Sequence, residues 1–220
     1  MDDADRAALI ELAQTHRNQT SEVLPSPYVR ISDFLPRAER DVLFAEIIAA
    51  EPDYVSNAMD GRRAMVLTSP PSSAGLLTAR ILEAATPLIV PLGLDPDRLI
   101  APTVSDLIVV ASGHRDFFGP HRDDIAPLAT AQTRARRVSI TFHMNSSPKQ
   151  FTGGELRLYD HRVLDGEPTP ANTFVPIEPE DNTLIAFLSS TRHEVATVMF
   201  ERNTFADRRF SITGSFSIPN

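Results

Sequence analysis

The second half of the chain most constrains its fold. From about residue 103 it offers a series of short strand candidates with no helical segment between them. These are TVSDLIVVAS (103–112), FFGPHRDD (117–124), RRVSITFHMN (136–145), GGELRLYD (153–160), NTLIAFLSS (182–190) and RRFSITGSFSI (208–218). They are rich in β-branched and aromatic residues and are separated by Gly, Pro, Asn and Asp, the composition of strands joined by turns. Many short strands in succession predict a sandwich or barrel such as a jelly roll. Alternate strand residues share a face. Val138, Ile140, Phe142 and Met144 therefore oppose Ser139, Thr141 and His143, while Phe210, Ile212, Phe216 and Ile218 oppose Arg209, Ser211, Thr213 and Ser215. Two arrangements satisfy this pattern. Either the polar faces meet water, or helices cover the apolar faces and the polar ones line an interior cavity.

The first third reads as helical. Residues 2–16 form an amphipathic pattern with Leu9, Leu12 and Ala13 on one side, and 27–35 (PYVRISDFL) alternate as a strand. Pro36 opens a helix to about Glu51, with Leu43, Phe44, Ile47 and Ile48 at helical spacing. A further helix carries Leu77, Ile81, Ala84 and Leu88, disturbed near its end by Pro87 or Pro91. Residues 52–72 show no clear period and read as a loop with at most one strand. Helices followed by strands give an α+β class with helices packed on one sheet. The length, 220 residues, suits a single domain, with 1–102 as a mainly helical support and 103–220 as the jelly-roll core.

Composition narrows the partners. The net charge of −8 argues against nucleic acid, whose phosphates would be repelled. The chain has no cysteine, which excludes disulfides and thiolate metal sites. Its start, MDDADRAALIELAQTH, is acidic and lacks the apolar core of a signal peptide. No apolar run approaches the ~18 residues of a membrane helix. A cytoplasmic location without a membrane partner is the expectation.

His121 and Asp123 stand two apart in a strand-like stretch, so an imidazole and a carboxylate converge on one point. That makes either a buried hydrogen-bonded pair or two ligands of a metal still short of a third. Of the other histidines, His16 lies in the N-terminal helical pattern, and His114 and His161 lie in polar, turn-like stretches. His193 follows the apolar strand 182–190, 70 residues after Asp123. His-x-Asp with a later histidine at a strand end is the spacing of a 2-His-1-carboxylate facial triad, which holds Fe(II) on one face and leaves the other open. Sixteen residues after His193 comes Arg209, on the same strand face as Ser211. A guanidinium fixed in a polar cavity is a bidentate receptor for a small carboxylate.

With these residues the chain resembles the Fe(II)- and 2-oxoglutarate-dependent dioxygenases, and among them the prolyl-hydroxylase-like group. The resemblance covers roughly 27–35 and 103–218, with the strand segments and the Gly-Gly turn in the family's order. It implies a double-stranded β-helix (jelly-roll, cupin-like) core with N-terminal supporting helices. It also implies iron at His121, Asp123 and His193, and the distal carboxylate of 2-oxoglutarate at Arg209 with help from Ser211. Arg208 competes for that role, but alternation places it on the opposite face. Asp124 competes with Asp123 but breaks the two-residue spacing.

Where many relatives carry tyrosines, Ser112 stands before the FF-x-P-H stretch, and Phe142 and His143 stand in the strand after His-x-Asp. His143 shares the face of Ser139 and Thr141, so it can replace the missing donor toward 2-oxoglutarate or be an ordinary core histidine. The implied reaction consumes O2, with ascorbate as a supporting reductant, and releases succinate and CO2 as a C–H bond is hydroxylated. A carboxylate at Asp123, where glycine or alanine would leave room for a halide, implies a hydroxylase rather than a halogenase. The substrate classes left open are a peptidyl proline, a free amino acid and a natural-product intermediate. Segments 52–72, 124–135 and 161–174 are expected to frame the entrance. A cupin-like metal- or 2-oxoglutarate-binding sensor without turnover is the alternative reading.

Overall fold

The computed structural model describes residues 23–125, 135–164, 167–200 and 204–219. The helical pattern over 2–16, and most of the segment 124–135, lie outside these residues. The strands in chain order are β1 Val23–Leu24, β2 Tyr28–Ile31, β3 Val55–Met59, β4 Arg62–Leu67, β5 Ile108–Ser112, β6 Phe117–His121 and β7 Arg136–Met144. They continue as β8 Phe151–Gly153, β9 Leu156–Leu164, β10 Glu167–Ile177, β11 Thr183–Leu188, β12 His193–Val195, β13 Val198–Phe200 and β14 Arg209–Ser217. The helices are α1 Arg37–Ala49, α2 Ala74–Glu83 and α3 Ala85–Ile89.

One antiparallel sheet runs β1-β9-β12-β6-β4-β5-β14-β7-β11-β2, with β10 on β9 and β3 on β4; β8 and β13 form a separate ribbon. The sheet curls over on itself. Ile185 and Phe187 of β11 pack against Leu156 and Leu158 of β9 and Ile177 of β10, although β11 and β9 stand far apart in strand order. This is a jelly-roll double-stranded β-helix. The apolar faces foreseen on β7 and β14 point outward, where Val138, Ile140, Phe142, Phe210 and Ile212 join Leu43 and Ile47 of α1 and Leu77 and Ile81 of α2 in one buried cluster. Each such side chain contributes about 1.5–3 kcal/mol by leaving water. The polar face of β7 is buried as well: Ser139, Thr141 and His143 are all closed to solvent. Helices therefore cover the outside and the polar face lines the interior.

Two local outcomes differ from the sequence pattern. Residues 52–72 are not a loop but contain the hairpin β3–β4, and β4 lies inside the main sheet between β6 and β5. Periodicity missed it because β3 is largely exposed on both faces. Residues 161–164 and 167–174 belong to the paired strands β9 and β10, and the prolines of β10 sit on an edge strand, where proline is tolerated. The last helix breaks between Glu83 and Ala85 with a bend of 74°. Pro87 has no N–H for the Glu83 carbonyl and its ring clashes there, so the chain restarts as α3. No single helix among the described residues is long and apolar enough to cross a membrane.

Candidate active site

β6, the residues just after it and the start of β12 build one corner of the cavity. His193 is the direct cross-strand partner of His121. The ligand-type atoms of His121, Asp123 and His193 all lie within 4.8 Å of one another. His121 Nε2 is 3.6 Å from Asp123 Oδ1, and His193 Nε2 is 3.7 Å from Asp123 Oδ2. Each imidazole is oriented from behind. His121 Nδ1 meets the Gly119 carbonyl at 2.9 Å, and His193 Nδ1 meets the Thr191 carbonyl at 3.0 Å. A carbonyl only accepts, so Nδ1 carries the hydrogen and Nε2 presents its lone pair toward the carboxylate. Burial and the neighbouring His193 push the His121 imidazole down to about 4, which keeps it neutral and able to ligate.

Asp123 is held in turn. Ser139 of β7 donates to Asp123 Oδ2 at 2.5 Å, and the Asp123 N–H donates to the Ser189 carbonyl at 3.1 Å. Asp124 turns away and pairs with Arg122 at 2.7 Å. Two imidazoles and one carboxylate on one side of a shared point are the donor set suited to Fe(II).

On the same interior face, β14 presents Arg209 with only 1% of its surface exposed. Its Nε donates to the Gly154 carbonyl at 2.8 Å and its Nη1 to Ser211 Oγ at 3.3 Å, while Nη2 is buried without a partner. Burial lowers the guanidinium to about 10, opposed by the charge of Glu155, so it remains a cation at neutral pH. Ser112 is the cross-strand partner of Arg209. His143 lies in register between Ser211 of β14 and Thr183 of β11, fully buried, with neither ring nitrogen hydrogen-bonded. Burial, and then Arg209, hold its imidazole well below the usual range. An unpartnered buried donor costs about 1–3 kcal/mol, so Arg209 Nη2 and the one protonated ring nitrogen of neutral His143 are donors awaiting a polar anion. The carboxylate of a molecule such as 2-oxoglutarate suits these donors. Arg208 faces the other way, with its guanidinium against Met65 and over the Phe205 ring.

Sequence reasoning missed three contributors. Ser139 shares a polar strand face with His143, and that face was a signal for it. Gly154 belongs to the Gly-Gly turn, but its purpose shows only in space. A methyl there would stand 2.7 Å from Arg209 Cδ. Arg62, in the hairpin read as a loop, had no sequence signal. Its guanidinium lies 4.4 Å over the Phe118 ring, which stacks on His121 at 3.6 Å between centroids.

Comparison with known proteins agrees with this geometry. Residues 107–217 match the 2OG-Fe(II) oxygenase superfamily. An uncharacterized PKHD-type hydroxylase of Synechocystis is 29% identical over 208 residues, which cover 90% of this chain. The chain spans 66% of that relative's length. A prolyl-4-hydroxylase of Pseudomonas putida superposes with a TM-score of 0.59 at 19% identity, over 89% of this chain and 94% of that one. A prolyl hydroxylase of Trichoplax adhaerens, solved with a peptide fragment of the hypoxia inducible factor oxygen degradation domain, superposes with a TM-score of 0.62 at 15% identity. That match covers 99% of this chain and 94% of the other. These structural likenesses show a shared fold.

Proposed function

The chain belongs to the 2OG-Fe(II) oxygenase superfamily, and from that footing we propose that it hydroxylates an unactivated C–H bond while 2-oxoglutarate is converted to succinate and CO2. The observation that carries this reading is the shared interior face. His121, Asp123 and His193 converge there, beside a buried Arg209 whose Nη2 has no partner. Fe(II), 2-oxoglutarate and O2, when bound, supply the oxidation.

The chain's own residues bind, orient and exclude water. His121, Asp123 and His193 hold the metal, with Gly119, Thr191 and Ser139 fixing their orientations. Arg209 and Ser211 take the C5 carboxylate of 2-oxoglutarate, and a fork of two N–H groups suits a carboxylate better than a point charge does. His143 supplies a further donor, in place of the tyrosine that the strand lacks. The apolar walls Phe187 and Phe118 pack against His193 and His121 and shield the centre from bulk water.

The substrate class this reading favours is a prolyl residue of a peptide or an amino-acid-like small molecule. It is supported by the fold shared with two prolyl hydroxylases, one of them solved with a peptide fragment. Arg62 adds a docking group beside the metal. Neighbouring Arg63 and Arg122 are paired with Asp116 and Asp124, whereas no carboxylate among the described residues lies within ion-pair distance of Arg62. It can receive a carboxylate or carbonyl oxygen of the substrate. The test is incubation with Fe(II), 2-oxoglutarate, ascorbate and candidate peptides or amino acids. Succinate formed together with a product one oxygen atom heavier supports the reading. No succinate with any candidate, and none without a candidate, would overturn it.

A further inference from the structure

Arg157 pairs with Glu155, the residue that follows the Gly154 acceptor of Arg209. Among the described residues, Glu155 is the carboxylate whose charge acts on the Arg209 guanidinium. It directly follows Gly154, whose carbonyl accepts from Arg209 Nε at 2.8 Å. A buried cation without a counter-ion is costly and draws the nearest carboxylate. Yet no ion pair forms between them, because Glu155 is engaged elsewhere. Arg157 Nε and Nη2 both donate to Glu155 Oε1, at 3.1 and 2.6 Å. Arg157 is itself anchored across the sheet. Its Nη1 donates to Glu194 Oε1 at 3.1 Å, Glu194 is its register partner on β12, and its guanidinium lies 4.9 Å over the Phe174 ring.

We infer that Arg157 is a positioning residue that holds the Glu155 carboxylate away from Arg209, so that the Arg209 guanidinium stays free for 2-oxoglutarate. The inference rests on the 2-oxoglutarate reading proposed above. Released from Arg157, Glu155 becomes an internal competitor. It carries the same chemical group as the C5 end of the cosubstrate and is tethered one peptide bond from a hydrogen-bond acceptor of Arg209. Such tethering gives a high effective concentration.

The test is a 2-oxoglutarate titration of the full chain loaded with Mn(II), in the wild type, Arg157→Gln, Glu155→Gln and the double variant. If freed Glu155 caps Arg209 about nine-tenths of the time, Arg157→Gln weakens 2-oxoglutarate binding by about tenfold. The double variant returns to the wild-type affinity, Glu155→Gln alone loses none, and Mn(II) affinity without 2-oxoglutarate is the same in all four. An Arg157→Gln protein that binds normally overturns the inference, as does a loss that the double variant retains. A parallel loss of Mn(II) affinity would place the effect at His193 through Glu194 and also overturns it. A wild-type protein that takes up no 2-oxoglutarate overturns instead the function proposed above, and this inference with it.

Discussion

Gly154 and Arg209 are fitted to one another. The Gly154 carbonyl accepts from Arg209 Nε at 2.8 Å, and a methyl on Gly154 would stand 2.7 Å from Arg209 Cδ and 3.0 Å from Val198 Cγ2. Gly154 also has φ of +72°, a conformation that side chains resist. Gly154→Ala should therefore displace the Arg209 arm. Overpacking of this kind costs about 1–3 kcal/mol. Thermal unfolding should show a lowered midpoint, and 2-oxoglutarate binding should weaken in the same variant. An unchanged affinity would mean that the turn does not position Arg209.

The metal centre makes a sharper demand. His121→Ala, Asp123→Ala and His193→Ala should each lose Fe(II) binding and turnover while circular dichroism retains the strand signal, because each removes one donor from the cluster. Asp124→Ala should keep both, since its carboxylate pairs with Arg122 away from the centre. Metal affinity by equilibrium dialysis checks this directly. A ligand variant that still binds iron as the wild type does is not a ligand variant.

His143 is fully buried with neither ring nitrogen hydrogen-bonded. If it donates to 2-oxoglutarate, His143→Phe should weaken that binding and leave metal affinity intact. A hydrogen bond to a charged acceptor is worth about 1.5–3 kcal/mol, or roughly 10- to 150-fold. The same variant has a signature in stability. Burial holds the folded imidazole well below its ordinary value of 6.5. Below that pH the unfolded chain takes up a proton that the folded chain refuses, so the wild type loses stability as the solution is acidified. His143→Phe should reduce that slope by up to about 1.4 kcal/mol per pH unit. Urea unfolding between neutral and acidic pH measures it, and identical slopes would contradict a buried neutral His143.

Much of the centre was legible in the sequence because its geometry is local. Arg209 and Ser211 are two apart on β14, so strand alternation aims that pair. His121 and Asp123 are also two apart, but β6 ends at His121 and Asp123 is aimed by the turn after it, through Ser189 and Ser139. The polar face of β7 was legible too, but its direction was not. Only the packing of Leu43, Ile47, Leu77 and Ile81 onto Phe142 and Ile212 turns Ser139 and His143 inward. What stayed hidden depends on long-range pairing. Arg62 reaches the site because β4 inserts beside β6, more than fifty positions later in the chain, and no periodicity records that. The Glu155–Arg157–Glu194 cluster likewise needs β12 laid against β9. The break after Glu83 was legible through Pro87, whose chemistry is local.

The most direct measurement is a 2-oxoglutarate titration of Mn(II)-loaded protein carrying Arg209→Ala, Arg209→Lys or Arg208→Ala. Arg209 is buried on the face of the metal cluster with Nη2 unpartnered, whereas Arg208 lies against Met65 and Phe205. Arg209→Ala should cost on the order of 2–5 kcal/mol of binding, because a buried carboxylate loses its partner. Arg209→Lys should recover part of that, since the charge remains but the planar fork does not. Arg208→Ala should bind as the wild type. A damaging Arg208→Ala beside a harmless Arg209→Ala, or three variants that all bind normally, would contradict a cosubstrate pocket built on Arg209.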